Sequence, residues 1–83
     1  MGKTPSEILA WVAEVFEIPA GNVRSDTRRD EIEPWDSLGT LTLIARMDED
    51  FNVLLTEEEI EQLRSPGDII EVLRKHGKVE DGS

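Results

Sequence analysis

The sequence contains no cysteine and no tyrosine, and its aromatic residues are two tryptophans and two phenylalanines. Without cysteine, the fold has neither a disulfide bond nor a thiolate-bound metal, and this usage fits a cytoplasmic location. No apolar run approaches the roughly 18 residues that a membrane-spanning helix needs. The first residues lead into an amphipathic segment, so we expect no signal peptide and no membrane span.

Basic residues are also scarce, because nine Lys and Arg stand against nineteen Asp and Glu, and the net charge is −10. Such a chain repels nucleic acid and anionic membranes, and basic surfaces of partner proteins attract it. The acidic charge is concentrated in residues 36–62, where Arg46 is the sole base. The 83 residues are expected to form one domain, 1–83, with a thin core, because a chain of this size buries only about 60% of its unfolded surface.

The spacing of apolar residues predicts three longer helices and one short helix, at about residues 5–18, 37–51, 57–64 and 66–76. Thr4 and Thr56 each precede a glutamate by three residues, and this capping-box pattern opens a helix. Ser65 and Pro66 open the last helix as a cap and a proline at the first helical position. No stretch shows strand alternation, so the predicted fold class is all-α, a small four-helix bundle. Residues 78–83 are predicted to be a polar, frayed tail.

A long first loop, residues 20–36, separates the first two predicted helices. It is rich in turn-forming residues, and a loop of this length in a small domain is usually functional or irregularly packed. Its few apolar side chains are predicted to anchor it onto the helices: Val23, Ile32 and Trp35. Arg24, Arg28 and Arg29 form a basic spot within it.

The second helix carries two apolar rows and an acidic end. The row predicted to face the core has four-residue spacing: Leu43, Met47 and Phe51. A second, narrower row lies at one edge of it: Leu38, Leu41 and Ala45. Three acids occupy the last turn, where the helix dipole disfavours them, and this placement suggests a use outside the fold: Asp48, Glu49 and Asp50.

Catalysis finds little support in this sequence. Ser37 would need a base, and the one histidine, His76, lies at a predicted helix end where capping explains it better. The acids at 48–50 lack the glycine and the distal glutamate of a calcium loop, so we expect no metal site. A hydroxyl at the start of the second helix is then either a helix cap or an attachment point. A phosphate esterified there would lie against free backbone N–H groups.

Around Asp36-Ser37-Leu38 the chain resembles an acyl carrier protein, of the family that includes peptidyl and aminoacyl carriers. The resemblance covers nearly the whole chain, from the first helix to the last. In that family the serine of this motif carries 4′-phosphopantetheine, which a separate phosphopantetheinyl transferase transfers from coenzyme A. The resemblance implies that Ser37 is the attachment site and that the thiol of the arm holds an acyl or aminoacyl group as a thioester.

The resemblance also implies a surface that docks partner enzymes. The apolar part of this surface would match Leu38, Leu41 and Ala45. Its acidic part would match Asp36, Asp48, Glu49 and Glu57. The implied partners are the transferase, an acyl- or aminoacyl-loading ligase, and a downstream acyltransferase or synthase. We expect a monomer that carries groups between these enzymes and is not itself an enzyme.

Three residues of the second helix depart from the pattern of many fatty-acid carriers. Gly39 and Thr42 stand where acidic residues are frequent, and Arg46 adds a positive charge, so the docking surface is expected to be less acidic near Ser37. The segment from Trp35 to Gly39 looks more like carriers of specialised pathways, and residues 37–40 also resemble D-alanyl carriers. The alternative hypothesis is an unmodified acidic helical adaptor that docks a basic partner, with Ser37 serving only as a cap.

Overall fold

A computed structural model describes residues 2–80. Within this range the chain is mostly helical and contains no strand, and its four α-helices are α1 (Pro5–Val15), α2 (Ser37–Phe51), α3 (Glu57–Gln62) and α4 (Pro66–Lys75). Two short 3₁₀ helices, Ala20–Asn22 and Arg29–Glu31, lie in the first loop. The predicted all-α class, with three longer helices and one short helix, is confirmed. No helix among residues 2–80 has the length and apolar character to cross a membrane.

The predicted helix starts are confirmed by their hydrogen bonds. The Thr4 hydroxyl accepts the Glu7 N–H at 3.2 Å, while the Glu7 carboxylate accepts the Thr4 N–H at 3.0 Å. Thr56 and Glu59 repeat this capping box at the start of α3. Ser65 caps α4, with Pro66 at its first position. Each start is therefore stabilised by side chains adjacent in sequence, which is why the pattern was readable.

Three of the four helix ends differ from the predicted ones, most clearly that of α1, which ends at Val15 rather than Ile18, whereas α2 ends at Phe51 as predicted. Glu17 adopts a left-handed conformation with φ of 55°. Its N–H donates to the Glu14 carbonyl, and the Ile18 N–H donates to the Ala13 carbonyl at 3.0 Å. These two bonds form a Schellman motif, which usually has glycine at the left-handed position and so gave no signal here. Helices α3 and α4 end two residues and one residue earlier than predicted, at Gln62 and Lys75.

The core is built from one face of each longer helix and from the first loop. The predicted core row of α2 is confirmed, because Leu43, Met47 and Phe51 are buried. The predicted loop anchors are also confirmed as buried: Val23, Ile32 and Trp35. The apolar side chains of the first loop thus pack it against the helices. This packing holds in place the segment that leads into α2.

The described part of the predicted tail is not frayed. The Lys3 N–H donates to the Lys78 carbonyl at 3.0 Å, and the Glu80 N–H donates to the Lys3 carbonyl at 2.9 Å. Val79 is half-buried and packs against the core. The prediction was wrong for residues 78–80 because pairing with the N-terminal segment, a contact between distant parts of the chain, has no local signature. Residues 81–83 lie outside the described range.

Candidate functional site

The start of α2 combines a capped backbone with a free hydroxyl. Asp36 is the cap, since its Oδ1 accepts the Gly39 N–H at 2.9 Å and its carbonyl accepts the Thr40 N–H at 2.8 Å. Ser37 is the first residue of the helix, is exposed, and makes no side-chain hydrogen bond with the described residues. The alternative in which Ser37 is the helix cap is therefore wrong, because Asp36 caps the helix.

One exposed face of α2 contains Ser37 together with most of the predicted docking residues. At 3.6 residues per turn, successive side chains are about 100° apart, and this set falls within an arc of about 120°. The set, which we call the docking face, comprises Leu38, Leu41, Ala45, Asp48 and Glu49. All of its side chains are exposed, and Leu38 and Leu41 are 74% and 62% exposed. The helix therefore presents apolar side chains near Ser37 and acids farther along.

The remaining two predicted docking residues lie on other elements. Asp36 precedes α2, and its carboxylate is used in capping. Glu57 is the first residue of α3 and is exposed. In the docking face itself, Asp48 and Glu49 have no ion-pair partner among the described residues. Their charge is therefore available to a basic surface of a partner protein.

Asp50 is an exception to the expected outward role of the acids at the end of α2. Its Oδ2 accepts the indole N–H of Trp11 at 2.7 Å and the Nε–H of Arg46 at 3.0 Å. The Trp11 bond is the main reason that the pKa of Asp50 lies below its usual value, and Arg46 adds to this while desolvation opposes it. Asp50 therefore ties α2 to α1, and the suggested use outside the fold is wrong for this residue.

Gly39 and Arg46, two of the departures from the fatty-acid carrier pattern, also serve the fold. A Cβ on Gly39 would lie 2.0 Å from the Pro34 carbonyl oxygen, so no side chain fits between α2 and the loop. Arg46 pairs with Asp50 and reaches Glu14 at 3.5 Å. Neither residue lies in the arc of the docking face. Packing therefore excludes an acidic side chain at position 39.

Trp35 anchors the loop directly before the site. Its ring is 3% exposed and stacks on Phe16, with the ring centroids 5.3 Å apart. The guanidinium of Arg29 lies 5.7 Å from the Trp35 ring centroid and also donates to the Trp35 carbonyl at 3.2 Å. The sequence identified Trp35 as an anchor but gave no sign of the role of Arg29, because this contact depends on how the loop folds back.

Leu54 is an exposed apolar residue outside the predicted docking surface. It lies between α2 and α3 and is 74% exposed. The sequence indicated only that this link makes apolar contacts. Exposure could not be read there, because a four-residue link has no helical period to distinguish an inward from an outward side chain.

The chemistry of the site fits covalent attachment of a phosphate ester. The Ser37 hydroxyl is free, and the amides of Ser37 and Leu38 donate to no described backbone or side-chain group. An anion bonded to the hydroxyl would be stabilised by these amides and by the positive end of the helix dipole. His76 is occupied elsewhere, since its Nε2 lies 2.8 Å from the Glu59 carboxylate. Among residues 2–80, no group of three or more acids and histidines is arranged to hold a metal ion.

Comparison with known families gives a match that covers most of the chain. The family model described as phosphopantetheine attachment site matches residues 6–73. Comparison with curated proteins gave no match. Domains of this family carry covalent 4′-phosphopantetheine, act as carriers rather than catalysts, and interact with transferase and synthase enzymes. The match spans far more than half of the 83 residues, so the chain belongs to the phosphopantetheine-attachment family of carrier proteins, as the resemblance to acyl carrier proteins implied.

Proposed function

We propose that Ser37 carries the 4′-phosphopantetheine arm and that the protein delivers an acyl or aminoacyl group on this arm to partner enzymes. The observation that carries the proposal is the Ser37 hydroxyl, which is exposed and makes no described hydrogen bond at the first residue of α2. Asp36 caps the helix, so modification of Ser37 costs the fold no hydrogen bond. When bound, the arm supplies a thiol that holds the carried group as a thioester.

Attachment requires that Ser37 act as a nucleophile within the transferase complex. Its oxygen forms a bond to the phosphorus that bears the pantetheine, the bond from that phosphorus to the bridging oxygen of the coenzyme A diphosphate breaks, and adenosine 3′,5′-bisphosphate leaves. The proton of the hydroxyl must pass to a base. The described residues place no base on Ser37, so the transferase provides it. The role of this chain is to expose the hydroxyl and hold it in place.

The docking face offers a two-part surface to partner enzymes. Leu38, Leu41 and Ala45 contribute apolar area next to Ser37, which favours association through burial. Asp48 and Glu49 contribute unpaired negative charge, with Asp36 and Glu57 as flanking acids on other elements. Charges at the rim raise the encounter rate and select the partner more than they raise affinity. We therefore expect the transferase, the loading ligase and the downstream acyltransferase or synthase to present basic residues to this surface.

The pathway proposed is a specialised one rather than housekeeping fatty-acid synthesis. Between Ser37 and Met47 the helix carries no acid, and Thr42 uses its hydroxyl locally, donating to the Leu38 carbonyl at 3.1 Å. The negative charge of the docking face thus begins only at Asp48. A partner adapted to this carrier should make its apolar contact near Ser37 and its ionic contacts farther along α2. The carrier is proposed to act as a cytoplasmic monomer.

The test uses the unmodified protein, coenzyme A and a phosphopantetheinyl transferase of broad specificity. Intact mass spectrometry should show a gain of one phosphopantetheine arm on the native protein and no gain on Ser37→Ala. A matched control is Ser25→Ala, which removes an exposed hydroxyl in the first loop and should accept one arm. If the native protein gains nothing, or if Ser37→Ala gains the arm, the proposed attachment site is wrong.

The same variants separate the carrier from the adaptor hypothesis. A carrier modified at Ser37 requires that Ser37→Ala fold normally and yet fail to accept or transfer an acyl group. An unmodified adaptor would bind its partner through the docking face whether or not Ser37 is present. Partner binding that survives in Ser37→Ala, together with no mass gain in the native protein, would favour the adaptor.

A further inference from the structure

Arg29 connects the chain on both sides of Ser37. Its Nε–H donates to the Trp35 carbonyl, two residues before Ser37, at 3.2 Å. Its Nη2 donates to the Thr40 hydroxyl, three residues after Ser37, at 2.8 Å. One planar guanidinium thus spans the turn from the first loop into α2. The N–H donors of arginine are held in one rigid plane, which allows a single side chain to make both bonds.

Thr40 extends this connection to the residue directly before Ser37. Its hydroxyl donates to the Asp36 carbonyl at 2.9 Å while it accepts from Arg29. The Asp36 carbonyl is therefore held by both the N–H and the hydroxyl of Thr40. Because this hydroxyl donates and accepts at once, the position of the Arg29 guanidinium constrains the Asp36 carbonyl at the helix start.

Arg29 is itself fixed by the rest of the fold. Its backbone N–H donates to the Arg64 carbonyl at 2.8 Å, across to the link between α3 and α4. Its guanidinium also lies against the buried ring of Trp35. Arg29 is only half-exposed, and no carboxylate among residues 2–80 pairs with it. Its charge is thus directed at a carbonyl and a hydroxyl, an arrangement that fixes geometry rather than neutralising an acid.

We infer that Arg29 is a positioning residue for the modification of Ser37, acting through Trp35 and Thr40. The inference rests on the proposed function, in which the Ser37 oxygen displaces adenosine 3′,5′-bisphosphate from coenzyme A. That displacement needs the oxygen in line with the bond that breaks. A misplacement of about 1 Å can cost up to about a hundredfold in rate. By fixing the backbone before and after Ser37, Arg29 sets the position and direction of the Cα–Cβ bond from which the hydroxyl projects.

The experiment measures kcat and KM of a phosphopantetheinyl transferase for variants of the whole chain. Arg29→Met removes both hydrogen bonds but keeps an unbranched side chain over Trp35. Arg29→Lys keeps the charge but cannot make both bonds from one plane. Thr40→Val removes the hydroxyl that joins Arg29 to the Asp36 carbonyl and nearly preserves the shape of the side chain. Arg28→Gln is the matched control, because Arg28 is adjacent and exposed, and its side chain pairs only with Asp30 among residues 2–80.

A positioning role predicts a fall in kcat with little change in KM, because the docking face is intact while the reacting hydroxyl is misplaced. We expect Arg29→Met to lower kcat at least about tenfold, with partial recovery in Arg29→Lys. Thr40→Val should show a smaller fall in the same direction. In the double variant of Arg29→Met and Thr40→Val, the fold decrease in kcat should be smaller than the product of the two single decreases, because both residues act through one connection. Arg28→Gln should match the native protein.

Thermal unfolding of each variant separates positioning from loss of fold. Val72→Ala, in the buried face of α4, lowers stability without removing a hydrogen bond of Arg29 or Thr40, and it should leave kcat unchanged at a temperature where it is folded. Should Arg29→Met be unfolded, Thr40→Val and Arg29→Lys decide the question. Native kcat in the folded Arg29 and Thr40 variants would overturn the inference while leaving Ser37 as the attachment site. Absence of transfer to the native protein would instead overturn the proposed function.

Discussion

At the residue scale, the neighbours Asp36 and Ser37 contribute differently to α2. The side chain of Asp36 accepts the Gly39 N–H, whereas the side chain of Ser37 makes no described hydrogen bond. Both residue types are good caps, so the sequence left the assignment open. The backbone decides it, because the helix begins at Ser37 and the cap is the residue before the first helical one.

We expect Asp36→Ala to lower the free energy of unfolding by about 1 kcal/mol, the usual value of a cap. Ser37→Ala should change it by less than about 0.5 kcal/mol, as for an exposed side chain without partners. Urea denaturation of the two variants and the native protein provides the measurement. A larger loss in Ser37→Ala than in Asp36→Ala would reverse our assignment of the cap.

Glu59 is a buried carboxylate, 3% exposed, that joins α3 to the end of α4. It accepts the Thr56 N–H at 3.0 Å and lies 2.8 Å from His76 Nε2, with the Lys75 ammonium at 3.6 Å. The pKa of Glu59 is lowered in the folded protein, chiefly by the Thr56 N–H and further by His76 and Lys75, against the effect of burial. The sequence predicted the capping box but not the contact with His76, which comes from a distant part of the chain.

This lowered pKa makes the stability depend on pH. Below the ordinary value of 4.5 the unfolded chain binds a proton that folded Glu59 resists. The stabilisation by Glu59 is therefore present above that value and is lost as the pH falls through the folded pKa. We expect Glu59→Gln to cost about 1–3 kcal/mol at neutral pH and to flatten the loss of stability in acid.

Urea denaturation at a series of pH values, from neutral to acidic, tests this expectation. Glu58→Gln is the control, because Glu58 is the adjacent, exposed acid and makes no described side-chain contact. If Glu59→Gln and Glu58→Gln follow the same pH curve, Glu59 does not stabilise the fold in the way its contacts indicate.

At the element scale, the sequence predicted the features whose stabilising contacts join residues close together in the chain. Helix starts at Thr4, Thr56 and Ser65 were predictable, because the cap and its partner are three residues apart. The end of α1 was not, because Glu17 takes the left-handed position that normally signals itself by glycine. Likewise Trp35 was recognisable as a loop anchor, while Arg29 was not, because its partners are fixed only when the loop has folded.

Helix α2 presents opposite faces to the core and to solvent, and paired substitutions distinguish them. Leu43→Ala, on the fully buried row, should cost about 2–5 kcal/mol, enough to unfold much of so small a domain. Leu41→Ala, on the docking face, should change stability by less than about 0.5 kcal/mol. The same Leu41→Ala should raise the KM of the transferase, because it removes apolar contact area.

Thermal unfolding and transferase kinetics on these two variants provide the measurement. Equal melting temperatures for Leu43→Ala and the native protein would show that the core row is misassigned. A native KM for Leu41→Ala would remove it from the docking face. The sequence could predict both rows from helical spacing alone, since α2 is long enough to show its period.

At the scale of the whole molecule, the main feature is the excess of acid over base. The net charge is −10 on 83 residues, and four bases are already paired with acids within the described residues: Arg28, Arg46, Arg74 and Lys75. Asp48, Glu49 and most acids of α3 remain exposed. Their mutual repulsion opposes folding, whereas in the proposed function the same field would draw basic partner surfaces toward the docking face. We therefore expect the charge to favour partner encounter at some cost in stability.

We expect added salt to raise the melting temperature, because ions screen this repulsion over a Debye length of about 10 Å at 0.1 M. Calorimetry between low and moderate concentrations of sodium chloride measures the effect, and magnesium chloride at equal ionic strength shows whether divalent cations add to it. A melting temperature that stays level or falls with salt would mean that self-repulsion does not limit stability.

The family match establishes a phosphopantetheine carrier, and we propose Ser37 as the residue that carries the arm. The most direct measurement is tandem mass spectrometry of the native protein after incubation with coenzyme A and a phosphopantetheinyl transferase. We predict one arm per chain, attached to Ser37, and none on Ser6, Ser25 or Ser65. An arm on any other hydroxyl, or no arm at all, would contradict this prediction.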